Sequence, residues 1–277
     1  MGNPVAHSVS PAMHNAAIAL LGLEYVYVPF QVESENAGAA VEAIRALGIV
    51  GMNVTVPHKE AVIEHLDDVS EEARIIGSVN TITNDGGALR GTSTDGAGFL
   101  GSLEELGVKP EGLTVIVAGA GGTAKATVYA LAARGAKVLV VNRTVERALK
   151  LAESINAALG GDLVSVDRLD ANRLRETLKG ADVFVNCTSV GMHPRADASP
   201  VPADALHAGL LVYDQVYNPR RTLLLRAAEE AGARTASGLR MLVYQGAISF
   251  AIWTGLEPPV DVMEKAALDA LGKYSDE

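Results

Sequence analysis

Short β-branched runs and longer Ala/Leu-rich stretches with helical spacing alternate along the whole chain, the pattern of an α/β protein. In the first half it predicts a helix over residues 12–21, a strand over 25–32, a helix over 37–47 and a strand over 51–57. That strand has Asn53 and Thr55 at alternate positions and is stopped by Pro57. A helix follows Lys59 to about residue 66, then a strand over 76–82, a hairpin turn at Asn84-Asp85-Gly86-Gly87, a strand over 89–94 and a helix over 98–106. In the second half, strands at 115–118, 137–141, 163–166, 182–186 and 210–213 alternate with helices, the last at 222–231. The uncharged run 241–256 predicts a buried helix, and a final helix covers 262–271. That run falls short of the roughly 20 residues a membrane span needs and contains Gln245 and Gly246.

The most informative stretch is residues 115–147. A β-branched run breaks into Gly119-Ala120-Gly121-Gly122-Thr123-Ala124, passes into an Ala-rich helix and ends in a second apolar strand. Gly119, Gly121 and Ala124 fit Gly-x-Gly-x-x-Gly/Ala, the spacing at which glycines let a strand turn tightly and bring backbone N–H groups up to a pyrophosphate at a helix N-terminus. A tight strand-to-helix turn alone also calls for glycine. The second strand ends, however, in Asn142-Arg143-Thr144 with Arg147 a turn later, where NAD enzymes carry an acid for the ribose hydroxyls. Guanidinium forks there suit a 2′-phosphate, and the expected cofactor is NADP. Two solvated arginines at a helix start are the plain alternative.

Composition narrows the class. The chain has 277 residues, 48% hydrophobic and 20% charged, with a formal net charge of −10, which suits two domains and argues against nucleic acid as partner. Cys187 is the only cysteine, so no intrachain disulfide forms, and no Cys/His cluster has metal spacing. No signal peptide is visible. The expectation is a cytoplasmic protein, off the membrane, without a metal.

Three places carry candidate chemistry. Ser8 and Ser10 lie on one side of an extended segment, a seat for a small carboxylate beside a helix N-terminus, although Ser10 before Pro11 also fits a helix cap. Lys59 follows a strand at the ligand-bearing edge of an open sheet, although a lone loop lysine is ordinarily solvated. Asp95 is either a helix cap or a functional carboxylate.

The ordered motifs Gly2-Asn3-Pro4, His7-Ser8-Val9-Ser10-Pro11, Asn53-Val-Thr55-Val-Pro57-His58-Lys59, Val79-Asn80-Thr81, Thr94-Asp95-Gly96, Gly119-Ala-Gly-Gly122 and Asn142-Arg143-Thr144 resemble those of shikimate dehydrogenases over essentially the whole chain. The resemblance implies two domains with a cleft between them. An N-terminal open α/β substrate domain covers 1–94 plus 238–277, and a Rossmann-type doubly wound NADP domain covers 95–237. It implies that Ser8, Ser10, Thr55, Lys59, Asn80, Asp95, Tyr217 and Gln245 surround shikimate, with Lys59 and Asp95 as the catalytic pair. NADP contacts would come from Gly119 to Ala124, from Asn142, Arg143, Thr144 and Arg147, and from Thr188, Gln215 and Gly238. The chain departs from the family pattern at Ser93, where Asn is common, and at its start. Family members usually have an apolar strand before Gly-Asn-Pro, so either the start is truncated or the first sheet lacks a strand.

The implied activity is reversible NADPH-dependent reduction of 3-dehydroshikimate to shikimate, in aromatic amino acid biosynthesis, by a monomer or homodimer. Lys59 would donate the proton, its ammonium form favoured by Asp95 and by the substrate carboxylate. The rivals are a quinate/shikimate dehydrogenase using NAD and a non-catalytic dinucleotide-binding sensor.

Overall fold

The computed structural model describes residues 1–274. They fall into two compact units, residues 1–99 with 242–274 and residues 100–241. In chain order the elements are α1 (Ser10–Leu20), α2 (Ala37–Ala46), β1 (Gly51–Asn53), β2 (Asp68–Val69), α3 (Glu71–Ile76), β3 (Thr81–Asp85), β4 (Ala88–Thr92) and α4 (Asp95–Glu105). Next come β5 (Thr114–Ala118), α5 (Gly122–Ala133), β6 (Lys137–Asn142), α6 (Val145–Leu159), β7 (Val164–Arg168) and α7 (Ala171–Thr177). The chain ends with β8 (Val183–Asn186), β9 (Leu211–Asp214), α8 (Leu223–Glu230), β10 (Arg234–Ser237), α9 (Leu239–Thr254) and α10 (Val260–Tyr274).

In the first unit a sheet of order β1-β3-β4-β2 is antiparallel except for the β2–β4 pair. The β3–β4 hairpin turns at Gly86-Gly87, both at positive φ, as a two-residue turn demands. Val41, Ile44, Met52, Val62, Ile82 and Leu89 form its buried core.

Three strand expectations fall short here, and for the first two the cause is hydrogen bonding. Residues 25–32 are extended but join no ladder beyond the isolated Gly2–Gln31 bridge. The backbone N–H and C=O of Tyr27 are instead bonded by the Asn15 side chain, at 2.8 and 2.9 Å. β-Branched composition favours a pleated, packed surface but cannot supply a partner strand. The 51–57 strand stops at Asn53 because Thr55 O accepts from His58 N, closing a turn. The helix expected after Lys59 is a 3₁₀ segment, Ala61–His65. The strand expected over 76–82 begins only at Thr81, because Ile76 closes α3. Helix α3 itself went unread: six residues are too few for a visible period, and it is held by Ser70, whose Oγ accepts from Ala73 N at 3.3 Å.

The second unit contains one six-stranded sheet, β10-β9-β8-β5-β6-β7, with every pairing parallel. Counted from β5 this is the doubly wound order 3-2-1-4-5-6, whose switch point lies between β5 and β8. Ile116, Phe184, Val212, Leu178, Leu224 and Leu225 fill one layer of its core. α7 begins at Ala171, where the Asp170 carboxylate caps Asn172 N and Arg173 N. The helix expected over 241–256 spans Leu239–Thr254, and its far end is not fully buried, since Ile252 is 42% exposed.

Candidate active site

Lys59 is placed by its loop. His58 Nε2 meets Val32 O at 2.7 Å, and Lys59 O accepts from Val79 N at 2.8 Å, which ties the loop beside Asn80. The Lys59 ammonium pairs with Asp95 Oδ2, and both side chains are buried. Asp95 Oδ1 accepts from Asn80 Nδ2 at 2.9 Å. Asp95 is therefore the first residue of α4, not its N-cap, and its carboxylate turns inward to an ion pair.

Asn80 ties the cluster together. Its Oδ1 accepts from Thr94 N (2.8 Å) and Thr81 Oγ1 (3.1 Å), and its Nδ2 faces Asp95 Oδ1, Thr94 Oγ1 (2.9 Å) and Gln245 Oε1 (3.0 Å). An amide nitrogen has two hydrogens for these three acceptors, so one acceptor is always left without this donor. Gln245, on α9, is anchored by Nε2 to Leu242 O at 2.7 Å. Lys59, Asn80, Asp95 and Gln245 thus come together within the first unit. The buried residues Thr81, Thr94 and Ser249 and the half-buried Asn53 extend the network, with Asn53 Nδ2 reaching Ser249 Oγ at 3.1 Å. The alternation of Asn53 with Thr55 hinted at this polar face; nothing in the sequence pattern pointed to Ser249.

Ser8 lies just before α1 and Ser10 opens it, and Ser10 is not the helix cap that its place before Pro11 suggested. Val9 occupies the N-cap position without a side-chain cap, and Ser10 is the first helical residue. Ser8 Oγ accepts from Ser10 N at 3.3 Å. The hydroxyl with a local structural job is that of Ser8. Thr55 is exposed on the turn before Lys59. Tyr217 belongs to the second unit, where burial pushes its phenol up from the ordinary value.

In the second unit the residues expected to hold a dinucleotide gather at the carboxyl edge of the sheet. Gly119 has φ +116°, a backbone only glycine adopts freely, and a Cβ there would lie 3.1 Å from Cys187 O. Ala120 and Ala124 are buried, and Gly121 is the N-cap of α5, with open space where a Cβ would stand. Gly122, Thr123 and Ala124 then open the helix, presenting its first amides. At the end of β6, Asn142 Nδ2 donates to Thr144 O at 2.8 Å and fixes the turn into α6. Arg143 and Arg147 are exposed, and their guanidinium groups have no ionic or hydrogen-bond partner among the described residues. Thr188 follows β8, and Gln215 follows β9. Gln215 donates from Nε2 to Thr127 Oγ1 at 2.8 Å, while its Oε1 is buried with no partner. Gly238 passes so close to the Gln215 carbonyl that any Cβ would collide with it. Exposed guanidinium groups, a glycine-built helix N-terminus and an orphaned acceptor on one sheet edge fit a dinucleotide carrying an extra phosphate.

Two titratable groups of the first unit, the half-buried Glu72 and the buried His14, were not anticipated. Glu72, on α3, has Oε1 buried without a partner, and burial with the nearby Asp95 charge pushes its carboxyl up to about 6. His14, on α1, stacks on Tyr27 with centroids 4.3 Å apart, and burial pushes its imidazole down to about 3. Among the described residues no cluster of metal-ligating side chains occurs, and no helix is long and apolar enough to cross a membrane.

A doubly wound, glycine-turned sheet in one unit and a buried Lys–Asp pair in the other define an α/β protein built for dinucleotide-linked chemistry. Residues 1–82 match the shikimate dehydrogenase substrate binding domain, 104–199 the shikimate/quinate 5-dehydrogenase family, and 238–268 the shikimate 5′-dehydrogenase C-terminal domain. The chain is 49% identical to the shikimate dehydrogenase (NADP(+)) of Methanothermobacter thermautotrophicus, across 99% of this chain and 96% of that protein. Its structure superimposes on a shikimate dehydrogenase in complex with NADP+ with a TM-score of 0.91, at 42% identity, covering 98% of this chain and 93% of that one. It does so too on the Thermus thermophilus enzyme in complex with NADP(H) and shikimate, with a TM-score of 0.87 at 40% identity and 97% coverage of each. This chain belongs to the shikimate dehydrogenase family.

Proposed function

We propose that the protein is an NADP-dependent oxidoreductase acting on a CH–OH group, which interconverts 3-dehydroshikimate and shikimate, and that Lys59 and Asp95 are its reacting pair. The observation that carries the assignment of roles is the buried Lys59–Asp95 ion pair held by Asn80. When bound, NADPH supplies the hydride. Lys59 gives a proton from Nζ to the ketone oxygen as that oxygen becomes a hydroxyl, and takes it back in the oxidising direction. Asp95 keeps Nζ aimed through Oδ2, while Asn80 Nδ2 holds Oδ1 and so fixes the carboxylate plane. A donor already oriented in a water-poor setting loses little freedom when the reaction begins.

Ser10, with a hydroxyl not used for capping, and Ser8 beside it receive the substrate carboxylate; Thr55, Tyr217 and Gln245 complete the substrate contacts. Arg143 and Arg147 receive the 2′-phosphate, and the amides opening α5 the pyrophosphate. Purified protein given shikimate with NADP or with NAD, followed by nicotinamide absorbance, tests the reading. Turnover with NADP and shikimate supports it. Faster turnover with NAD and quinate would replace it with the quinate activity, and binding of NADP without turnover would replace it with a sensor.

A further inference from the structure

Asp214 ends β9 in the second unit and is fully buried, has no ion-pair partner among the described residues, and takes no part in the proton transfer. Burial of a carboxylate without a cation is costly. Burial alone pushes this carboxyl up, and three donors oppose that shift. Oδ2 accepts from Thr222 Oγ1 at 2.6 Å, and Oδ1 accepts from both Asn186 Nδ2 at 2.9 Å and Val216 N at 3.1 Å.

Of the two donors on Oδ1, Asn186 ends β8 and Val216 lies in the turn after β9. Asp214 Oδ1, which also accepts from Val216 N, meets Asn186 as an acceptor and so takes its amide nitrogen. The Asn186 oxygen then points the other way and accepts from Thr188 N at 3.0 Å and Thr188 Oγ1 at 2.7 Å, while Asn186 Nδ2 also reaches Val190 O at 3.2 Å. Thr188 Oγ1 in turn accepts from Val190 N at 3.1 Å. The turn after β8 is thereby shaped by Asn186, and Asn186 is oriented by Asp214. Val216, on the same carboxylate oxygen, lies between Gln215 and Tyr217 in the turn after β9. A single oxygen therefore holds the turn with the cofactor residue Thr188 and the turn with the substrate residue Tyr217.

We infer that Asp214 is a positioning residue that couples these two turns, so that NADP and shikimate each strengthen the binding of the other. This rests on the functional reading above. Ordering one turn settles the acceptor geometry on which the other depends, and such coupling is reciprocal in binding free energy.

The test uses NADPH and shikimate together, both reduced and so unable to react. The dissociation constant of NADPH, read from its fluorescence, is measured with and without saturating shikimate. In the wild type shikimate is expected to tighten NADPH about fivefold or more. Asp214→Asn replaces one acceptor by an NH₂ that faces existing donors, and the ratio should fall to about 1. Thr222→Val removes the Oδ2 bond and the cap on Leu225 N but spares Oδ1, so it should lower the Tm and keep the ratio, which separates positioning from stability. Should Asp214→Asn not fold, hydrogen exchange of the wild type decides: NADPH alone should slow the Val216 amide, and shikimate alone the Thr188 amide. A wild type that binds both ligands without mutual tightening, an Asp214→Asn protein that keeps the ratio, or a Val216 amide indifferent to NADPH would each overturn the inference. A wild type that binds neither ligand would overturn the functional reading and the inference with it.

Discussion

Lys59 and Arg143 are both cations beyond the carboxyl end of a strand, yet Lys59 is 8% exposed and ion-paired, whereas Arg143 is exposed with no partner among the described residues. The first belongs to a cluster whose side chains satisfy one another before any ligand arrives. The second waits for a charge supplied by the ligand. Catalysis depends on interactions stronger in the transition state than in the ground state, which favours a fixed donor in low dielectric. Discrimination between two cofactors needs only a difference in binding, which an exposed cation provides with little folding cost. The contrast predicts where mutations will be felt in turnover and where in affinity.

The largest effect should come from the buried pair. Lys59→Ala is expected to lower kcat by roughly 10² to 10⁴ while shikimate still binds. It also leaves Asp95 buried without its cation, which can destabilise the fold by a few kcal/mol. Steady-state kinetics should therefore be joined to calorimetry of shikimate binding: normal kcat would make Lys59 an anchor, with the proton coming from another group.

Arg143→Ala should act on affinity alone. Charge-assisted hydrogen bonds are worth about 1.5 to 3 kcal/mol each, reduced by screening at an exposed site, so NADP should be preferred over NAD by about tenfold to a thousandfold. The variant should lose much of that preference through NADP, with the NAD constants nearly unchanged. Equal losses for both cofactors in kcat/KM would mean that Arg143 supports the fold or the adenine.

Ser10→Ala should raise KM for shikimate about tenfold with kcat little changed, since a carboxylate is held alike in ground and transition states. Because Val9 is the N-cap, this variant should not carry the helix-capping penalty of about 1 kcal/mol. An unchanged KM would remove Ser10 from the carboxylate seat.

The same contrast explains what the sequence made legible. The second unit follows a repeating strand–helix rule, so apolar runs located β5 and β6 within a residue, and the glycine turn pointed to a helix between them and to the arginines after β6. The first unit is held by side-chain bonds between residues far apart in the chain, such as Asn80 with Gln245 and Asn53 with Ser249. No local period encodes those. Resemblance pointed to Asn80 and Gln245, but Ser249, Glu72 and the Asn186–Asp214 link became visible only in three dimensions. The misread stretches have the same origin: residues 25–32 have strand composition, but the Asn15 side chain takes the Tyr27 backbone.

The smallest expected effects are in stability against pH, where Glu72 and His14 pull in opposite directions. The native state keeps Glu72 protonated up to about 6, against 4.5 for an ordinary glutamate. Over that interval the native state binds more protons than the unfolded one, so stability falls as pH rises and the penalty is complete above about 6. The side chain is partly exposed, and screening brings the penalty down to about 1 kcal/mol. Glu72→Gln should accordingly stabilise the protein by about that amount at pH 7.5 and not at all at pH 4. His14 is held neutral down to about 3, against 6.5 ordinarily. The unfolded state binds the extra proton in that interval, and stability falls with falling pH at up to about 1.4 kcal/mol per unit. Between 4.5 and 6 the smaller Glu72 slope offsets part of the His14 slope, so the wild-type profile should fall more gently with acid there, whereas below 4.5 the His14 slope stands alone. His14→Phe keeps a ring against Tyr27, Phe250 and Trp253 and gives up an Nε2 that has no partner. It should flatten the acid limb and expose the Glu72 slope between 4.5 and 6. Urea denaturation of the wild type and both variants at pH 4, 5.5 and 7.5 checks this. An equal gain for Glu72→Gln at all three values would mean that the substitution improves packing and that no titration of Glu72 is involved.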